Sequence, residues 1–204
     1  FFVAAFIIIL PMICIVGQRE TGSALVYSAF FLMFYREGMP GSILFTAVAM
    51  VVYFVVGVKY ENVMMWDGQT SVGEFIVLLL VQIFSTGMVS TYIHNGRQTV
   101  QMLLYTVGIT LGCMLFSVYV IPFDVTYVQL IVSFVLIGFL FYQGLSARIR
   151  NYYFIALFAL GSLAFFYSAD YVLNNVMEPH QRVRINVLLG LEAVSYTHLT
   201  LPTN

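Results

Sequence analysis

Two arginines close together are the residues best suited to chemistry in this chain. They stand in Glu178-Pro179-His180-Gln181-Arg182-Val183-Arg184-Ile185, directly after a long apolar stretch. Only 8% of the 204 residues are charged, so two guanidinium groups and a glutamate within eight positions are conspicuous. Guanidinium forks match phosphate oxygens, and Arg182 with Arg184 suits a clamp for a diphosphate. The plainer reading is a basic patch beside a membrane. If the stretch is helical, Gln181, Arg184 and Leu188 share a face. Asp170 and Glu178 are then candidate partners of the arginines.

A second polar corner is Gln18-Arg19-Glu20-Thr21-Gly22-Ser23, between two apolar runs. It reads as an interfacial turn in which Gly22 relaxes the backbone and Thr21 or Ser23 caps the next helix. As a site it would form a polar external floor in which Arg19 and Glu20 bind a charged headgroup. Glu74 lies two residues into a span, where a helix N-terminus favours negative charge. Gln82, Gln101, Gln129 and Gln143 read as hydrogen-bond partners between helices. His94 with Arg97 reads as a plain turn. Cys14 and Cys113 sit in apolar runs as small fillers rather than a disulfide or metal pair. No nucleotide-binding glycine pattern, zinc spacing or Ser-His-Asp order is present.

The elements that must carry these residues follow from composition. The chain is 61% hydrophobic and 17% aromatic, with a mean hydropathy of +0.96. Soluble domains are about half apolar and a quarter charged, so this chain belongs to the membrane class. Its net charge of −1 offers no field for nucleic acid. A spanning helix needs roughly 20 apolar residues, and apolar runs of that length can only be helices in hydrocarbon. The expected fold is all-α, a polytopic transmembrane helical bundle of about seven spans: 1–16, 21–36, 42–58, 72–93, 100–121, 125–144 and 152–171. An external loop is expected to begin near 172. Lys and Arg set the orientation. Arg36, Arg97, Arg148 and Arg150 fall on one side, read as cytoplasmic; the other receives Arg19 and Lys59 with Glu20, Glu61, Asp67 and Asp124.

The opening Phe1-Phe2 already lies in an apolar segment, so a fragment of a longer protein is expected. Residues 193–204, Thr-rich and uncharged, break with what precedes them and resemble translated adapter sequence; they are expected to be non-native.

At its two polar corners the chain resembles the SEDS family, the polytopic bacterial membrane glycosyltransferases that include RodA and FtsW. The family's Gln-Pro-Asp-x-Gly-Ser/Thr turn is matched by Gln18, Gly22 and Ser23, with Arg19 for the proline and Glu20 for the aspartate. Its Tyr-Gln-Arg-x-Arg-Val stretch is matched by His180-Gln181-Arg182-Val183-Arg184-Ile185. The last run and the Arg36-Glu37-Gly38 turn are more similar to RodA. The family has two spans between these corners, and six are counted here. An even difference keeps both on one side and implies a long RodA variant with four inserted helices.

The resemblance implies polymerisation of lipid II into glycan strands in the bacterial cytoplasmic membrane, with undecaprenyl diphosphate leaving. It also implies a class B penicillin-binding protein as partner. No cofactor is indicated, and the resemblance is compatible with a divalent cation. The substrate-binding candidates are Arg182, Arg184, Gln181, Gln18 and Glu20. The family's catalytic aspartate lies in a His-Thr-Asp-Phe stretch beyond this segment, so no catalytic residue is assigned and the segment alone is expected to be inactive. A lipid flippase or other transporter, and a non-catalytic membrane scaffold, are the alternatives.

Overall fold

The computed structural model describes residues 40–65, 68–176 and 179–190, and residues 6, 10, 11, 35, 36 and 38 singly. The expected spans 1–16 and 21–36, with Gln18 and Glu20, lie outside the described residues, as does the tail 193–204. The chain divides into two compact units, Phe1–Val51 and Val52–Asn204.

Among the described residues the chain is helical and has no β-strand. Helices α1 (Gly41–Lys59), α2 (Val72–Ile93), α3 (Gly96–Tyr119), α4 (Val125–Ala147) and α5 (Arg150–Tyr171) lead into a wide π turn, Val172–Val176, and a short helix α6, Pro179–Leu188. The first five are long and apolar enough to cross a membrane. At 1.5 Å per residue, 22 residues of α2 give about 33 Å, enough for a hydrocarbon core of about 30 Å.

Five of the seven expected spans therefore have counterparts, with α2 over the same residues as expected. Apolar side chains point outward as well as inward: Leu104, Tyr105 and Leu115 of α3, and Ile131, Phe134 and Val135 of α4, are exposed. A helix apolar all round suits lipid on one side and protein on the other.

In the second unit α2 is the central helix. It packs on α3, α4 and α5, while α4 also packs on α3 and α5. Its core is Val77, Leu78, Val81 and Val89, set against Leu140 of α4 and Ile155 and Ala156 of α5, all essentially inaccessible. Connections of two residues turn the chain between α2 and α3 and between α4 and α5. His94 and Arg148 close these helices in the left-handed region, at φ 58° and 54°, the usual way to end a helix abruptly. Asn95 caps α3 by accepting from the Gln98 amide at 3.3 Å.

The buried polar residues bind the helices to one another. Gln82 Nε2 donates to the Gln129 carbonyl at 3.2 Å and to Ser133 Oγ at 3.1 Å. This is the interhelical role expected of Gln82. Gln129 supplies only its backbone: both atoms of its side-chain amide are buried with no hydrogen-bond partner. An unpaired buried amide costs about 1–3 kcal/mol. Gln129→Met, which keeps the volume and removes the polar atoms, is expected to raise the melting temperature of the purified protein. A lower melting temperature would mean that a buried water pairs this amide in the bilayer.

Candidate functional site

The alternating helices gather their connections at two ends. At one end, Asn151 Nδ2 donates to the Tyr92 carbonyl at 3.0 Å and Tyr152 Oη to Gln98 Oε1 at 2.7 Å. Arg97, Arg148 and Arg150 belong to this end. At the other, the Val125 amide donates to Thr70 Oγ1 at 3.0 Å, joining the start of α4 to the loop before α2. Lys59, Glu61, Glu74, Asp124 and Asp170 belong there. The grouping of charges read from the sequence is thus a property of the fold for these loops, and the polar notch lies at the acidic end.

The notch is built by close packing of the chain after α1 onto the first turn of α2. The Gly73 amide donates to the Tyr60 carbonyl at 3.1 Å and the Val72 amide to the Val63 carbonyl at 2.8 Å. Ser71 Oγ donates to the Glu61 carbonyl at 3.0 Å, and Gly68, at φ 69°, makes the turn between them. Glu61 is therefore held by backbone contacts on both sides.

Helix α5 supplies the opposite wall. Phe166, Tyr167, Asp170 and Asn174 recur at helical spacing and line one cavity together. Tyr167 Oη donates to Glu74 Oε1 at 2.8 Å. Asn174 Nδ2 donates to Glu61 Oε1 and to Asp170 Oδ1, both at 3.0 Å. The π turn carries Asn174 into this position; such widened turns often occur at functional sites.

Arg182 closes the notch from α6. Its Nε donates to the Leu173 carbonyl, which leaves the two Nη groups of the fork for other acceptors. Arg182, Asn174, Asn186 and Glu61 line a second cavity of about 480 Å³ that adjoins the first, of about 210 Å³. Val58, Glu61, Leu173 and Asn174 belong to both.

Of the residues singled out by sequence, the structure places Arg182 in the notch and Glu74 at its inner wall. Glu74 stands in the first turn of α2, where negative charge was expected to be favoured. Asp170 is hydrogen-bonded to Asn174, and Arg182 to a carbonyl, so neither takes the other as its hydrogen-bond partner. Gln181 and Arg184 belong to α6 by their backbone, at positions three apart; their side chains, and Glu178, lie outside the described residues. The helical condition for Gln181, Arg184 and Leu188 to share a face is met. Glu61 and Asn174 were not singled out. The available signal was polar residues at the ends of apolar runs, but it says nothing of a contact across 113 positions.

Among the described residues no group of three or more His, Cys, Asp or Glu is placed to hold a metal ion. Cys113 is a free, half-buried thiol, and Cys14 lies outside the described residues.

Fold and notch together define a helical membrane protein, with five helices among the described residues long and apolar enough to cross a bilayer and a mixed-charge polar notch at one end of them. No family model matches the sequence, and no curated protein or solved structure matches it.

Proposed function

We propose that this chain is part of a bacterial lipid-linked sugar polymerase of the SEDS type, a long RodA-like variant that polymerises lipid II in the cytoplasmic membrane with a class B penicillin-binding protein. Support comes from the two polar corners, Gln18–Ser23 and His180–Ile185, which carry the family's residue types in the family's order. The observation that carries the reading furthest is the place of Arg182. It lines a cavity at the acidic, arginine-poor end of the bundle, the end that the positive-inside rule puts outside the cell.

A lipid-linked diphosphate sugar needs an apolar surface for its tail, cations for its diphosphate and a carboxylate to take the proton of the attacking hydroxyl. In this reading Arg182 and Arg184 supply the second requirement, and the catalytic carboxylate comes from outside this segment. Six crossings, the expected span 21–36 and the five helices α1–α5, separate the two corners, and an even number puts both on the same extracytoplasmic face. Four of these six spans are the insertion.

The test is sidedness. Single cysteines at positions 19 and 183, introduced into full-length protein lacking Cys14 and Cys113, are expected to react with a membrane-impermeant maleimide in intact cells. Reaction of one from outside and the other only after lysis would defeat the proposal. A transporter is the second reading, and the amide of Gln129, buried near the start of α4 with no hydrogen-bond partner among the described residues, is the observation in its favour.

A further inference from the structure

We infer that the notch binds the headgroup of a zwitterionic aminophospholipid, with the phosphate at Arg182 and the ammonium in the inner cavity. The inference shares with the proposed function only the phosphate-binding role of Arg182.

Three observations lead to it. The first is the charge of the inner cavity. Glu61, Glu74 and Asp170 line it together, and among the described residues the hydrogen bonds they receive come from neutral donors, Tyr167 and Asn174. Glu74 also feels the like charges of Asp124, outside the cavity, and of Asp170 within it. A cation entering here relieves that repulsion. The second is the spread of the carboxylates. They surround a space of about 210 Å³ without converging as metal ligands do. Such a wall suits an organic ammonium better than a bare ion, and Phe54, Phe166 and Tyr167 add aromatic surface for it. A primary ammonium has three N–H donors to match carboxylate oxygens; a quaternary one has none.

The third is the adjoining cavity of opposite character. There Arg182, with its Nε on the Leu173 carbonyl, presents the rest of its fork beside Asn174 and Asn186. The two cavities share Glu61 and Asn174 as walls, so a ligand with an anion and a cation can extend from one into the other. The site is at the end of α1 and α5, where apolar helices leave the hydrocarbon, at the depth of lipid headgroups. Apolar Val58 and Leu173 line both cavities beside the polar groups. These features favour a membrane lipid over a soluble amine.

Native mass spectrometry of the full-length protein, titrated with palmitoyl-oleoyl phosphatidylethanolamine, phosphatidylglycerol and phosphatidylcholine, tests this. The ethanolamine lipid is expected to bind about tenfold more tightly than the other two, the equivalent of one charge-assisted hydrogen bond. Glu74→Gln with Asp170→Asn should bring it to the level of phosphatidylglycerol, while Arg182→Ala should weaken both lipids alike. Equal binding of ethanolamine and choline lipids by the unsubstituted protein would overturn the inference. So would a preference that survives the double substitution, or displacement of the lipid by equimolar glycerophosphoethanolamine. None of these lipids is a sugar donor, so failure here leaves the proposed polymerase standing, and failure of the polymerase leaves this binding intact.

Discussion

A protein carrying Gly73→Val is expected not to accumulate in folded form, whereas Gly57→Ala is expected to be tolerated. Both glycines lie where α1 and α2 meet, but what surrounds them differs in kind. A Cβ on Gly73 would stand 2.7 Å from the Gly57 carbonyl oxygen, 3.0 Å from the Tyr60 carbonyl carbon and 3.1 Å from the Glu61 nitrogen, all backbone atoms. Backbone cannot turn aside as a rotamer can, so the loop must lift off the helix. Lifting it breaks the bond from the Gly73 amide to the Tyr60 carbonyl and the bond from Ser71 Oγ to the Glu61 carbonyl.

Overpacking ordinarily costs about 1–3 kcal/mol. Two lost hydrogen bonds add about 1 kcal/mol each. The sum is a large part of a typical stability of about 5–15 kcal/mol. On Gly57 the added atom would meet Cε2 of Phe166 at 2.6 Å, a closer approach, but to the edge of a ring on a side chain. That ring can swing, and its neighbour Tyr167 is 5.3 Å away in an edge-on arrangement. A cost near 1 kcal/mol is expected. Membrane abundance and fluorescence-detected size exclusion of the two variants measure the difference. Equal behaviour of the two would show that the loop before α2 yields as readily as a side chain, and that Glu61 is not held where the notch needs it.

The contrast shows which parts of the fold a sequence displays. Hydropathy sets the spans because burial in lipid is a sum over some twenty residues, and α2 follows the expected 72–93 without adjustment. Where the edges differ, local polar geometry is the cause. Helix α3 begins at Gly96 rather than at residue 100, because Asn95 caps a first turn made of Gly96, Arg97, Gln98 and Thr99. A hydropathy window sees only a polar break there. Helix α4 runs past Gly144 to Ala147, and α5 starts at Arg150 ahead of Tyr152. At both places a tight left-handed turn at Arg148 lets the helices continue to the last available residue.

The notch was legible only in part. Arg182 stands out because charge is so scarce, and Glu74 because it enters a span. Asp170 stood out only as a candidate partner of the arginines, and Glu61 and Asn174 look like ordinary interfacial residues until three elements bring them together. The π turn that aims Asn174 has no apolar period of its own to announce it.

Loss of polymerisation in the Arg182→Ala, Arg184→Ala double variant is the outcome on which the functional proposal depends most. Each guanidinium is expected to form charge-assisted hydrogen bonds with diphosphate oxygens, worth about 1.5–3 kcal/mol apiece. Removing one costs roughly tenfold to a hundredfold in binding, and removing both at least a hundredfold if the effects add. Arg182 also has a structural contact, its Nε on the Leu173 carbonyl, which ties α6 to the π turn. A fall in activity alone is therefore ambiguous for that residue, and two further measurements separate the meanings. Arg182→Lys removes the fork but keeps the charge; a clamp should retain part of its activity with a raised KM, while a purely structural tie should show first as a lowered melting temperature. Arg184→Ala should lower activity, and its melting temperature is measured beside it. The assay is glycan-strand synthesis from lipid II by full-length protein with its penicillin-binding partner, at matched membrane levels. Unchanged synthesis in the double variant rejects the clamp. It would leave Arg182 with its carbonyl contact and the lipid site, and no part in the handling of a diphosphate sugar.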